Sequence, residues 1–131
     1  MSDSATGTPA GWEPLTDAAE QPGAEDRKLA VLAKATRTRA RAAEGAALRD
    51  LDGRTYAAAT VDLPHLRLSA LGAAVAMAVA SGAVGLEAAV LLTGAEAVGD
   101  DDLAVVADLG GTGVTLLLGE PSGRLRARRT T

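Results

Sequence analysis

Leu66-Arg-Leu-Ser-Ala-Leu-Gly-Ala-Ala-Val-Ala-Met-Ala-Val-Ala-Ser-Gly82 is the stretch whose reading decides the fold. Its single charge, Arg67, falls at the start. The rest mixes Ala with Val, Leu and Met and runs into Ser81-Gly82, a good place for a helix to stop. A helix over 66–81 is expected, and since it is apolar on all sides it must be covered on all sides. Just upstream stands Gly45-Ala-Ala-Leu-Arg-Asp-Leu-Asp-Gly-Arg-Thr-Tyr-Ala-Ala-Ala-Thr-Val-Asp62. Its Asp52-Gly53 is a dipeptide favoured in tight hairpins, so strands are expected near 45–50 and 54–61.

Working outward, Asp26 to Ala43 reads as a helix, with Leu29, Leu32, Ala33, Thr36, Ala40 and Ala43 on one face at helical spacing. Ala88 to Leu92 is a short buried-type strand. Asp100, Asp101 and Asp102 put negative charge at the start of a helix running to about Leu109, where it suits the helix dipole. Gly113 to Leu118 is another strand, and Pro121-Ser-Gly123 turns into a basic end. The order α-β-β-α-β-α-β predicts an α/β fold, a three-layer α/β/α arrangement with a mixed sheet of about five strands.

At 131 residues the chain makes one domain. Trp12 and Tyr56 are its only aromatic residues, so the core must be built from Ala, Val and Leu. Such side chains bury little area each, at about 25 cal/mol per Å². The absence of cysteine excludes disulfides, thiolate nucleophiles and thiolate metal sites. The chain does not open with a basic stretch followed by an apolar one. Its longest uncharged run, 68–86, is rich in Ala, Gly and Ser and interrupted by Gly82 and Gly85. No signal peptide or membrane span is expected, and a cytoplasmic location is. Asp3, Glu13, Asp17, Glu20 and Glu25 give the first 25 residues five acids and no base, while the remainder is nearly neutral. Residues 1–24 are expected to form a disordered acidic tail, removable without cost to folding, ahead of a domain at 25–128. Trp12 and Leu15 are its only candidates for docking.

The two stretches quoted first, together with Asp102-Leu-Ala-Val-Val-Ala-Asp-Leu-Gly110 and Pro121-Ser-Gly123, resemble the small cytidine deaminases over about residues 26–126. In that family the hairpin reads roughly G-A-A-L…D-G-R-x-Y-x-G-x-N-x-E. The helix opens with C-A-E or H-A-E and closes with A-V-x-x-G, as Ala78-Val-Ala-Ser-Gly82 does here. The resemblance places Ser69 at one zinc-ligand position and Leu71 at the catalytic glutamate. Val98 falls at the proline of P-C-x-x-C, with Gly99 and Asp102 at its two cysteines, and Thr60 and Asp62 at the substrate-binding Asn and Glu. Zinc deaminases hold Zn²⁺ through three thiolate or imidazole ligands, lower the pKa of a bound water and shuttle protons through the glutamate. A hydroxyl, a glycine and one carboxylate cannot hold zinc in that way, and Leu71 cannot carry a proton. The resemblance therefore implies the scaffold without its chemistry: no metal, no cofactor and no catalytic residue.

His65 is the only histidine, so every Ser–His–Asp set would have to share it; as a lone residue it reads as a surface or capping side chain. Asp100 to Asp102 lack the ligand spacing and glycine of a calcium loop. Asp108-Leu-Gly-Gly-Thr112 resembles the phosphate loop of sugar kinases with an actin-like ATPase fold, but only 18 residues follow Gly113; a helix C-cap leading into a strand is the simpler expectation. Lys34, Arg37 and Arg41 on the first helix and Arg124, Arg126, Arg128 and Arg129 at the end would make a phosphate-binding patch if they converged.

The expected protein is a catalytically inactive cytidine-deaminase-like chain acting through binding or assembly. A deaminase-related enzyme with residual or altered activity is the alternative, and a nucleic-acid-binding accessory protein the second. A homo-oligomer through helix 66–81 is expected: small residues at Ser69, Gly72, Ala73, Ala76 and Ala80 let backbones approach closely, and the deaminases it resembles are dimers or tetramers.

Overall fold

The computed structural model describes residues 8–16 and 21–131. Strands β1 (Glu13–Pro14), β2 (Gly45–Asp50), β3 (Thr55–Ala59), β6 (Leu86–Leu92), β7 (Thr115–Gly119) and β8 (Leu125–Thr130) form one sheet in the order β1-β8-β7-β6-β2-β3. Only β6 and β7 run parallel, and the helix α3 (Asp100–Gly110) joins them. The sheet is thus mixed, with six strands. A separate small hairpin, β4 (Val61–Asp62) with β5 (Arg67–Leu68), precedes α2 (Ala70–Ala80).

Strand alternation sends side chains to two faces, and each face has its own core. On one, α1 (Ala24–Ala40) presses Leu29, Ala30 and Ala33 onto Ala47, Val90, Leu92 and Leu117. On the other, α2 and α3 cover Ala46, Leu48, Ala89, Leu91, Leu116 and Leu118 with Leu71, Ala74, Ala78 and Val106. The three-layer α/β/α arrangement is the one expected, and its core is Ala, Val and Leu with Trp12 and Tyr56 at its margin.

The Asp52-Gly53 turn forms as expected. Gly53 has φ +87, a conformation costly for any residue with a Cβ. Asp50 organises it: its Oδ1 accepts from the backbone N–H groups of Asp52 and Arg54 at 2.9 Å each, and its Oδ2 accepts from the Tyr56 hydroxyl at 2.9 Å. Burial pushes the Asp50 carboxyl up. The Tyr56 hydroxyl, the two N–H groups and the Arg54 charge more than offset that, and hold it below the usual carboxylate range. Tyr56 is correspondingly raised, by its bond to Asp50 and then by burial.

Four expectations change. The apolar helix starts at Ala70 rather than 66, because Arg67 and Leu68 pair with Asp62 and Val61. The first helix ends at Ala40, where Arg41 adopts a left-handed conformation at φ 54 and closes it. The basic end is a strand, β8, in which Leu125 and Ala127 are buried between arginines. The tail reading does not hold for residues 8–16. Here β1 pairs with β8 and places Trp12 in the core beneath α2 and α3, and Leu15 in the core beneath α1. At 8% and 6% exposed they strap the sheet edge from both sides, because burying a Trp and a Leu outweighs ordering so short a segment. Residues 1–7 and 17–20, with Asp3, Asp17 and Glu20, lie outside the described residues. No helix among the described residues is long and apolar enough to cross a membrane.

Candidate functional site

Two helix N-termini meet on the face of the sheet covered by α2 and α3. Ser69 caps α2: it is extended, at φ −67 and ψ 161, and its Oγ accepts from the backbone N–H of Gly72 at 3.0 Å. That satisfies one of the donors a helix start leaves open. The same hydroxyl donates its hydrogen to Asp102 Oδ1 at 2.6 Å. Asp102 belongs to the first turn of α3 with Asp100 and Asp101. Its carboxylate therefore lies where two helix dipoles present their positive ends, a favourable place for negative charge.

The family-equivalent positions are thus partly assembled. Ser69 and Asp102 touch. Gly99 is the N-cap of α3, with φ −67 and ψ 155, and a Cβ added there would meet nothing within 4 Å. Leu71 is fully buried and packs in the core. Thr60 turns its hydroxyl to the backbone of Glu44, accepting from its N–H at 3.0 Å and donating to its carbonyl at 3.4 Å. Asp62 pairs across the β4–β5 hairpin with Arg67 at 3.4 Å, both side chains being largely exposed; such a pair contributes little. His65 is exposed at the tip of that hairpin.

Residues outside the expected set hold the loop that delivers Gly99 and Asp102. Thr93 is buried, donates to Glu44 Oε2 at 2.8 Å and accepts from the N–H of Ala95 at 3.0 Å. Arg126 Nη2 donates to the carbonyls of Ala95 and Glu96 at 3.0 and 2.9 Å. No short-range pattern announces these contacts, since Glu44 and Thr93 lie 49 residues apart.

The donor set decides what this junction can hold. A catalytic zinc takes three protein ligands, mostly nitrogen or sulfur, plus water. Here Ser69 offers a hydroxyl already used as both cap and donor, Asp102 one carboxylate, and Gly99 nothing. Among the described residues no group of three or more His, Cys, Asp and Glu side chains is placed to hold a metal ion. These residues do not fit zinc.

The other motifs resolve into structure. Asp108 to Gly110 end α3, and Gly111 takes φ +64 at its C-cap, as the helix-cap reading expects. The arginines do not form one patch. Arg124 meets Lys34 across a cleft, Arg126 holds the 93–99 loop, Arg128 lines a different cleft with Glu13 and Asp26, and Arg129 lies beside Gly11. Alternation along β8 sends neighbours apart.

A mixed sheet with one helix on one side, two on the other, and paired helix N-termini at the site defines a deaminase-type α/β/α sandwich. The chain belongs to the cytidine deaminase-like family, whose model matches residues 22–123. Cytidine deaminase from Burkholderia pseudomallei has a similar structure, with TM-score 0.67 and 23% identity over 76% of this chain and 88% of that one. The enzyme from Mycobacterium leprae gives 0.65 and 21% over 83% and 94%, and that from Mycobacterium tuberculosis 0.61 and 24% over 79% and 90%. At these identities the likeness is one of fold. Among curated proteins, none matches this chain in sequence.

Proposed function

We propose that this chain is a catalytically silent member of its family, free of zinc, that works through binding or assembly. One observation carries the reading: Ser69 and Asp102, at two ligand positions, satisfy each other at 2.6 Å, while Leu71 is fully buried where the acid would stand. Metal analysis of the purified protein is expected to find no stoichiometric zinc, and cytidine and deoxycytidine to stay unchanged. One zinc per chain with release of ammonia overturns the proposal in favour of a residual deaminase.

Assembly is supported by α2, which one monomer covers incompletely. Ala70, Leu71, Ala73, Ala74, Val75 and Ala78 are buried, whereas Ala76, Met77, Val79 and Ala80 are exposed, Met77 by 44% and Val79 by 56%. An apolar stripe of that kind is buried in a homo-oligomer. Ala73, on the small-residue stripe read from the sequence, is spent inside the monomer. Ala76→Arg should yield a smaller folded species. A monomeric mass for the wild type in light scattering at about tens of micromolar removes the assembly reading.

A further inference from the structure

On the opposite side of the sheet, α1 and the β7–β8 turn enclose a cleft of about 420 Å³. Arg27, Ala30, Val31 and Lys34 line it at spacings of three and four, so one face of the helix forms a wall. The turn lies directly against that wall: the Lys34 stem passes 3.3 Å from where a Cβ on Gly123 would stand. Ala30 and Leu125, both buried, form an apolar floor, and Val31 stands beside it 67% exposed. The rim is cationic. Arg27 is held by a bond from Nη1 to the Pro22 carbonyl at 2.8 Å. Arg124 pairs with Glu120 at 3.2 Å. Lys34 has no carboxylate partner among the described residues. Among the described residues no acid lines the cleft, in a chain whose formal charge is −4. The local field is therefore the reverse of the whole molecule's.

We propose that this cleft docks an acidic segment of a partner protein, with one apolar side chain on the Ala30–Leu125 floor and flanking carboxylates on Arg27, Lys34 and Arg124. Three observations select that occupant over other anions. The cations are spread along the helix, Arg27 and Lys34 standing about 10 Å apart at 1.5 Å rise per residue, rather than converging on one point as a compact phosphate requires. No aromatic ring lines the cleft, so nucleic-acid bases have nothing to stack on. An apolar floor inside a charged rim is the anatomy of a protein interface, where a central anchor supplies affinity and the rim supplies selectivity. The cleft lies across the sheet from Ser69 and Asp102, so it stands or falls independently of the silent site.

The probe is a fluorescein-labelled octapeptide of Glu and Asp around one central Leu, titrated with the full chain by fluorescence anisotropy. Saturable binding is expected, weakening several-fold between about 50 and 150 mM salt. Lys34→Glu should weaken it about tenfold, with Lys34→Gln between, since one charge is reversed and then merely removed. Val31→Ser, or replacement of the peptide's Leu by Glu, should cost about fivefold through the lost apolar contact. Lys34 and Val31 are exposed, so the variants keep the fold, checked by circular dichroism. No binding at about millimolar protein, indifference to Lys34→Glu, equal affinity for the Leu-free peptide, or tighter binding of a single-stranded oligonucleotide would each overturn the proposal.

Discussion

Asp50 and Asp102 are carboxylates in two regions that the fold treats differently. Asp50, at the end of β2, is 2% exposed and receives the Tyr56 hydroxyl and two backbone N–H groups. Asp102 is half-buried at the start of α3 and receives the Ser69 hydroxyl. In the hairpin around Asp50 a single carboxylate gathers the backbone N–H groups of Asp52 and Arg54 and the Tyr56 hydroxyl, while Gly53 supplies the left-handed turn residue. At the helix junction, by contrast, Ser69 bonds Asp102, Leu71 is fully buried, and Gly99 caps α3 without a side chain. The two helix starts are held together by a cap and a negative charge, and Ser69 with Asp102 supplies both.

The strongest way to break that comparison is to return the acid. Leu71 is fully buried, so Leu71→Glu should cost about 4 kcal/mol by removing apolar contacts and burying a carboxyl without partners. Urea unfolding measures it. A cost below about 1 kcal/mol would mean that the junction still holds a cavity open to an acid. Trp12→Ala comes next. Trp12 is 8% exposed but sits on a strap whose strand is only two residues long. The strap can peel away, and the loss is limited to its docking energy, about 2 kcal/mol. An unchanged unfolding midpoint would show that the strap does not dock in solution.

The sequence made the layers legible because they rest on local pattern. Asp52-Gly53 marks the hairpin, the acids at 100–102 mark the start of α3, and Ser81-Gly82 marks the end of α2. What it hid depends on contacts distant in the chain. Leu66 to Leu68 look helical, yet Leu68 is drawn into a two-residue pairing with Val61. Leu125 and Ala127 between arginines do carry a period of two, a strand signal outweighed by the charge around them. β1 is too short to show any period, and its place follows from where Trp12 and Leu15 find apolar cover. At the site, the family resemblance pointed to Ser69 and Asp102, but their direct bond needs the packing of α2 on α3. Thr60, which the resemblance sets at the family's substrate-binding Asn, bonds the backbone of Glu44, 16 residues away.

A smaller effect separates the two carboxylates by pH. Asp50 has a folded-state pKa below its ordinary value. Its contribution is therefore complete above the usual aspartate range near about pH 4, and is lost as pH falls through the depressed value. Asp50→Asn should lower the melting temperature at neutral pH and flatten the decline in acid, so that the wild-type and variant curves approach each other below about pH 4. Parallel curves from pH 7 to pH 2 would show that Asp50 is not stabilised as its charged form. Thermal melts followed by circular dichroism across that range provide the readout.

The smallest effect tests whether the junction is one unit. Ser69→Ala removes the α2 cap and the donor to Asp102, and should cost about 1 kcal/mol. Asp102→Ala removes the acceptor and a charge from the first turn of α3, at about 0.5–1 kcal/mol. If the 2.6 Å bond holds the two helix starts together, the double variant costs less than the sum of the singles by about 1 kcal/mol, the coupling of one half-buried hydrogen bond to a charged acceptor. Asp102→Asn refines the cycle. It keeps an oxygen for the Ser69 hydroxyl and loses the charge, so a coupling that survives belongs to the bond, and one that vanishes belongs to the dipoles. Additive losses in both cycles would mean that each residue caps its own helix alone. The resemblance between this junction and a ligand cluster would then be one of position only.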